Sequence, residues 1–362
     1  MRKLPKPTND FQTFYNLCVK GVGNENKRQR LYDYANKVLF ESRLYEDNSN
    51  NNQLYKTVKH FDIVKQQLTV NYVTNAELTD LYINQMAKKN RPGRSLYDSL
   101  MIVPNSRCPF CSVGKVKNLD HFLPKSQLPI FSILPINLVP SCRDCNQDKS
   151  DNLFLEEKDQ TLHPYFDDVS DVQWLFAEVI EDNPVVIEYR VDISTLNNTS
   201  LAKKVVAHFK VYDLANIFSE LAAEELDLIY YESRRLFLEC NSFELKSHLI
   251  QKKESGFKCY KNSWQVALYQ SLSRSEWYCN GKFIIDAPVT DDNDDNDDND
   301  DNDDNDDNDD NEVKICPICK GKVSFCCPEC MTSIAECELC NGSGILTSSD
   351  CPNCEGLGLD RD

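Results

Sequence analysis

Six Cys-x-x-Cys pairs constrain this chain more than any other feature of its sequence. They take up 12 of its 17 cysteines. The other five, which we interpret as buried or incidental thiols, are Cys18, Cys240, Cys259, Cys279 and Cys326. Paired thiolates at this spacing are typical zinc ligands, and the basic start of the chain lacks the apolar core of a secretory signal. We therefore predict that the paired cysteines bind zinc and do not form a disulfide scaffold. We also predict a cytoplasmic location.

The first two pairs bracket a short segment. Cys108 and Cys111 form one pair, and Cys142 and Cys145 form the next after 30 intervening residues. Four thiolates satisfy tetrahedral zinc and leave no open position, so this zinc is expected to be structural. Such an ion would join the two ends of the segment and fix the residues between them.

That segment holds the side chains that a phosphodiester-cleaving site requires. Such a site needs a base for water and a divalent cation with oxygen ligands. His121 can be the base, since imidazole titrates near neutral pH. Asp120 and Asn146 offer a carboxylate and an amide oxygen, which suit Mg²⁺ or Mn²⁺. A lone histidine is more often structural, but an Asp-His pair inside a zinc-closed loop favours catalysis.

In its order of motifs, residues 107–151 resemble the HNH endonuclease family: Cys-x-x-Cys, Asp-His, Asn-Leu-Val, Cys-x-x-Cys-Asn, Lys. The family core is a β-hairpin followed by a helix around one metal. The resemblance implies that His121 is the general base, that Asp120 is a metal ligand and that Asn137 holds the hairpin loop by hydrogen bonds. Asn146 stands where the family has its last histidine, as in His-Asn-Asn variants.

The local charge favours a DNA substrate although the whole chain carries −18. An acidic repeat at 291–311 contributes −14 and the tail at 312–362 contributes −4, so the preceding residues are neutral overall. Residues 106–150 carry six basic and three acidic side chains, the sign that phosphate binding requires. Lys149, Lys125 and Arg143 are the candidate phosphate contacts. The segment that contains His163 resembles one that follows the core in some bacterial HNH proteins. His163 could approach the metal or the scissile phosphate there, and a structural role is the alternative.

The overall prediction is an α+β protein: a mainly helical body carries a small ββα-metal core that zinc closes. We predict a helical region over 1–100, the nuclease core over 101–168 and a further mainly helical part over 169–290. The Asp-Asn repeat at 291–311 cannot bury apolar surface, so a disordered linker is expected there. No run of about 20 apolar residues suggests a membrane span.

A cysteine-rich domain is expected over 312–362. Its Cys-x-x-Cys-x-Gly-x-Gly repeats resemble those of DnaJ-type zinc domains, and eight thiolates fit two closed zinc sites. The expected ligands are Cys316, Cys319, Cys327, Cys330, Cys337, Cys340, Cys351 and Cys354. Spacing leaves their pairing open, and the net charge of this module favours protein over DNA recognition.

Three functions agree with these motifs. The first is a Mg²⁺- or Mn²⁺-dependent endonuclease on DNA, and the family resemblance suggests bacterial anti-phage defence or restriction with an ATPase or sensor subunit as partner. The second is a non-catalytic, zinc-dependent module that binds nucleic acid or protein. The third is a chaperone-like scaffold, which the lack of a His-Pro-Asp tripeptide disfavours. The Asp-His, Asn and Asn set favours the endonuclease.

Overall fold

The computed structural model describes residues 1–65, 73–102, 106–149 and 151–284. One compact unit spans Met1–Ile285 and a second spans Asp286–Asp362. The predicted linker at 291–311 and the predicted zinc domain at 312–362 therefore lie outside the described residues. The helical, core and second helical regions predicted from the sequence share the first unit.

Helices make up most of the described chain, and two small antiparallel sheets complete it, so the predicted α+β class is confirmed. The helices are α1 (Phe11–Lys20), α2 (Glu25–Asp33), α3 (Ala35–Asn50), α4 (Leu54–Lys65), α5 (Asn75–Asp80), α6 (Arg94–Leu100), α7 (Arg143–Lys149), α8 (Thr199–Val211), α9 (Leu214–Arg235), α10 (Ser242–Cys259), α11 (Trp264–Arg274) and α12 (Glu276–Cys279). The strands are β1 (Asn118–His121), β2 (Leu138–Ser141), β3 (Leu175–Ile180) and β4 (Val186–Val191). β1 pairs with β2, and β3 with β4.

The amino-terminal helices begin where the sequence supplies capping side chains. Thr74 and Glu77 form a capping box at the start of α5, since each side chain accepts a hydrogen bond from the other residue's backbone N–H. Asp10 and Asn24 likewise accept backbone N–H bonds at the starts of α1 and α2. These caps satisfy donors that have no partner inside the helix.

Asp213 does not cap α9 with its side chain. It directly precedes α9, but its φ of 45° is left-handed and its side chain makes no cap hydrogen bond. Its carboxylate instead accepts from the Asn216 amide at 2.9 and 3.0 Å. Aspartate adopts left-handed backbone angles more readily than most residues do. The start of α9 is therefore marked by the left-handed turn at Asp213 and not by a side-chain cap.

The segment between the two cysteine pairs forms a hairpin followed by a helix. In the register of β1 and β2, Asp120 faces Val139 and His121 faces Leu138. Two short 3₁₀ turns, Pro129–Phe131 and Pro135–Asn137, lie in the connection, each starting with a proline that presets helical φ. After β2 the chain passes Cys142 into α7.

The second sheet and the carboxy-terminal helices share one hydrophobic core with this hairpin. β3 and β4 contact α9 and α11, and α10 packs against α11. Trp174, just before β3, is 1% exposed and donates its indole N–H to the Val169 carbonyl. Within the described ranges, no helix has the length and apolar character needed to cross a membrane.

Candidate functional site

Four buried cysteines from the two predicted pairs converge. The sulfur atoms of Cys108, Cys111, Cys142 and Cys145 all lie within 4.8 Å of one another. A zinc ion takes four thiolates in a tetrahedron with Zn–S bonds of about 2.3 Å, and sulfurs this close fit that geometry. The cluster could therefore hold the zinc ion that the spacing predicts. The eight cysteines of the carboxy-terminal module lie outside the described residues.

Backbone groups around this cluster favour the thiolate form. Gly114 donates its N–H to Cys111 Sγ at 3.2 Å, and Cys145 donates its N–H to Cys142 Sγ at 3.4 Å. Hydrogen bonds from Cys108 and the other cluster sulfurs hold the pKa of the Cys111 thiol well below its usual range. A Cβ at Gly114 would lie 2.7 Å from Cys142 Cβ, so only glycine fits beside the sulfurs.

His121 ends β1 with its ring held in one tautomer. Its Nε2 lies 2.9 Å from the main-chain oxygen of Ser132, which can only accept, so Nε2 carries the proton. Nδ1 then has a lone pair, and no residue in the described ranges hydrogen-bonds to it. Burial lowers the pKa of the ring to about 3, with the charges of Lys125 and Lys149 adding to the effect. The ring is therefore a neutral proton acceptor at pH 7.

Asp120 precedes His121 and is 5% exposed. Its Oδ2 is a buried oxygen with no hydrogen-bond partner among the described residues. Burial raises the pKa of the carboxyl to about 6, and the nearby Lys149 opposes this shift. A buried carboxylate oxygen without a donor is costly unless a cation satisfies it, and oxygen is the ligand that hard divalent cations prefer.

A cleft of about 770 Å³ joins these groups. Asp120, His121 and Asn146 line it together, as do Lys125 and Lys149. Asn146 lies on the first turn of α7 and is half-buried. Asp120 and Asn146 therefore line one space together with His121, and carboxylate and amide oxygens are ligands that hard divalent cations accept.

Asn137 is fully buried and ties the hairpin connection together. Its Oδ1 accepts from the Leu123 N–H at 2.7 Å, and its Nδ2 donates to the carbonyls of Leu123 and Phe131 at 3.0 and 3.2 Å. These hydrogen bonds hold the connection between β1 and β2 in place. Phe131 directly precedes Ser132, whose carbonyl orients His121, so Asn137 supports the imidazole indirectly.

Protein ea31 of Escherichia phage lambda is 30% identical to this chain over 299 residues, which cover 78% of the chain and all of ea31. The chain belongs to the ea31 family. No family model matches it, and no solved structure matches it. The name ea31 states no activity, so function in this ea31-family protein has to be argued from its own site.

The three predicted phosphate contacts of this ea31-family chain lie in different surroundings. Lys125 is half-buried in the cleft, with Nζ 5.8 Å from the centre of the Tyr82 ring. Arg143 is exposed at the start of α7 and is absent from the cleft lining. Lys149, unlike the other two, is buried: it is 7% exposed and its Nζ lies 2.8 Å from the His121 carbonyl oxygen.

His163 is a structural histidine, which settles the alternative that the sequence left open. It is 1% exposed, its Nδ1 accepts from the Tyr165 N–H at 3.2 Å, and its Nε2 lies 3.1 Å from the Tyr45 hydroxyl. Its ring is 4.0 Å from that of Phe122, centre to centre. It does not line the cleft that holds His121.

Four supporting residues of this ea31-family chain escaped prediction. Tyr45 contacts Asn137, Tyr82 packs its ring 4.4 Å from that of His121, and Lys204 pairs with Asp167 at 2.9 Å. Lys204 and Asp167 are 1% and 2% exposed. All four lie outside residues 106–150, and only the spacing of Asp167 after His163 could have suggested one of them.

Proposed function

We propose that this ea31-family protein is a metal-dependent endonuclease of the HNH class that hydrolyses DNA phosphodiester bonds. One observation carries the proposal: Ser132 holds the His121 ring so that Nδ1 is the free acceptor, in a cleft that Asp120 and Asn146 share. A base and two oxygen ligands in one cleft are the parts that phosphodiester hydrolysis needs.

His121 would take the proton of a water molecule on Nδ1. The water oxygen would then attack phosphorus, the bond from phosphorus to the leaving sugar oxygen would break, and that oxygen would take a proton from a second water molecule. The Ser132 carbonyl keeps the ring aimed and stabilises the protonated form, because Nε2–H already donates to it. A bound phosphate would raise the depressed pKa of the ring, since an opposite charge favours imidazolium.

Asp120 and Asn146 would hold Mg²⁺ or Mn²⁺. Bound there, the cation supplies Lewis-acid stabilisation of the charge that develops on the phosphate oxygens. The Oδ2 of Asp120 supports this role, since it is buried and accepts no hydrogen bond in the described ranges, and its nearest positive charge is the Lys149 ammonium at 3.4 Å. The four-cysteine cluster would hold β1 and α7 at fixed positions relative to each other. Asp120 on β1 and Asn146 on α7 would then keep their places as ligands.

A cleavage assay on plasmid, single-stranded DNA and RNA tests the proposal, with Mg²⁺, Mn²⁺ or EDTA. General-base catalysis contributes roughly 10²–10⁴-fold, so His121→Ala should lose about that much activity. His248→Ala is the control, because His248 lies on α10 in an ion pair with Glu232, away from the cleft lining. Circular dichroism and zinc content should match the parent in both variants.

Cleavage of DNA by the His121→Ala variant at the parent rate would overturn the assignment. DNA binding without Mg²⁺- or Mn²⁺-dependent cleavage would support the alternative, a non-catalytic zinc-dependent binding module. A setting in anti-phage defence or restriction, with an ATPase or sensor subunit as partner, stays a prediction from the family resemblance.

A further inference from the structure

Lys149 places a positive charge inside the candidate cation site. Its Nζ lies 3.4 Å from Asp120 Oδ2 and 2.8 Å from the main-chain oxygen of His121. Lys149 is 7% exposed and Asp120 is 5% exposed. The carboxylate that the proposed function assigns to a cation therefore already faces an ammonium group, and the low exposure of both keeps solvent from screening them.

The contact between the two groups is electrostatic and is not a hydrogen bond. Asp120 Oδ2 has no hydrogen-bond partner in the described chain, while the Lys149 ammonium hydrogen-bonds to the His121 carbonyl. A divalent cation bonds carboxylate oxygen at about 2.0–2.1 Å and carries twice the charge. Both cations cannot stay close to the same oxygen, because like charges at such separations repel strongly.

The fold gives the Lys149 side chain a second place to go. Lys149 follows Asn146 by three residues on α7, so the two project from the same side of the helix. Lys149 also lines an adjoining cleft of about 600 Å³, with Phe154, Val206 and Lys210 among its walls. The Lys149 ammonium can therefore leave the carboxylate and remain next to the position of a phosphate.

We propose that Lys149 is a positioning residue that occupies the Asp120 carboxylate until a divalent cation binds, and competes with the cation for it. This inference rests on the proposed function, because that function assigns Asp120 to the cation. It also explains how a lysine predicted to contact phosphate is buried here: the phosphate contact follows cation binding.

Mn²⁺ titration of the full chain, followed by electron paramagnetic resonance, tests the competition. The site in question is the one whose Mn²⁺ binding is lost in the Asp120→Ala variant. This criterion separates it from Mn²⁺ bound to the acidic repeat. Lys149→Met removes the competing charge and should tighten Mn²⁺ at this site by about tenfold or more. Lys149→Gln should have the same effect on Mn²⁺ affinity. It replaces Lys149→Met if that variant fails to fold, because its amide can still donate to the His121 carbonyl.

Lys210→Met is the matched control. Lys210 is exposed and lines the adjoining cleft but not the cleft of Asp120, so Mn²⁺ affinity should stay within about twofold of the parent. Mn²⁺ should also raise the melting temperature of the Met variant more than that of the parent, because tighter binding stabilises more. A merely structural lysine would weaken Mn²⁺ binding when replaced.

Unchanged or weaker Mn²⁺ binding in both Lys149 variants would overturn the inference. If the parent shows no Asp120-dependent Mn²⁺ binding, the proposed function and the inference both fail. If the parent binds Mn²⁺, the variants bind it more tightly and no nucleic acid is cleaved, the inference stands while the proposed function fails.

Discussion

The hydroxyl of Tyr45 donates a 3.1 Å hydrogen bond to Oδ1 of Asn137, 92 residues further along the chain. The same hydroxyl lies 3.1 Å from Nε2 of His163, whose Nδ1 accepts from a backbone N–H, so Nε2 is the donor. Asn137 in turn holds the connection between β1 and β2. A helix from the amino-terminal region therefore stabilises the loop that orients His121.

Replacing Asn137 by alanine should be far more damaging than removing the Tyr45 hydroxyl. Asn137→Ala leaves the buried N–H and carbonyl of Leu123 unsatisfied and removes one of the two hydrogen bonds to the carbonyl of Phe131, so we expect a loss of about 3 kcal/mol or more. Tyr45→Phe removes one shared hydroxyl and should cost about 1 kcal/mol. Urea unfolding monitored by tryptophan fluorescence measures both free energies of unfolding.

The double variant is the control for coupling between these two residues. Because Tyr45 and Asn137 share a hydrogen bond, the combined loss should fall short of the sum by about 0.5 kcal/mol or more. Strict additivity would mean that the contact between the hydroxyl and the amide contributes nothing to stability.

Gly114→Ala should disturb the four-cysteine cluster. The added Cβ would lie 2.7 Å from Cys142 Cβ and 2.8 Å from its sulfur, and neither is the end of a flexible side chain. We expect a stability loss of about 2 kcal/mol or more and one zinc fewer per chain than in the parent. Zinc content by mass spectrometry, with urea unfolding of the same samples, measures the outcome.

Gly23→Ala is the matched control for this substitution. Gly23 is exposed, and a Cβ there would have nothing within 4 Å. Its stability should stay within about 0.5 kcal/mol of the parent, and its zinc content should be unchanged. A Gly114→Ala protein that keeps full zinc content and full stability would show that the cluster has more room than the distances indicate.

Acidification should destabilise the protein below about pH 6.5. Burial lowers the pKa of His121 and of His208 to about 3, and that of His163 well below its usual range. Below pH 6.5 the unfolded chain therefore binds protons on these rings that the folded chain does not bind. The free energy of unfolding falls as the pH drops further. From pH 7.5 to 5.5 each ring should cost about 1.4 kcal/mol.

Asp120 opposes this trend. Burial raises the pKa of its carboxyl to about 6, so the folded state binds a proton that the unfolded state does not hold at pH 5.5, which offsets about 0.8 kcal/mol. In urea unfolding at the two pH values, these four groups together should give a net loss of about 3 kcal/mol, and the Met1 amino group, whose pKa burial lowers to about 5, should add to that loss. The loss should be smaller in His208→Gln by about 1.4 kcal/mol, and an equal loss would contradict the assignment to that ring.

The four-cysteine cluster and the core hairpin could be predicted because their determinants lie close together along the chain. Each Cys-x-x-Cys pair already contains the geometry of half a zinc site, and Asp120 directly precedes His121 in the sequence. Tyr45 and Tyr82 could not be predicted in this way. Their partners depend on which helix packs against the hairpin, and no local spacing records that.

By itself, the sequence determined which chemistry is available: four thiolates for a zinc ion, one imidazole, and carboxylate and amide oxygens within 45 residues of one another. Only the tertiary structure decided which of those groups are buried, which are paired and where the imidazole proton lies. Packing buries Lys149 against Asp120 and separates His163 from the cleft, and it turns the His121 proton toward Ser132. Burial and hydrogen-bond direction are properties of the folded surroundings, because both depend on atoms that are distant in the chain.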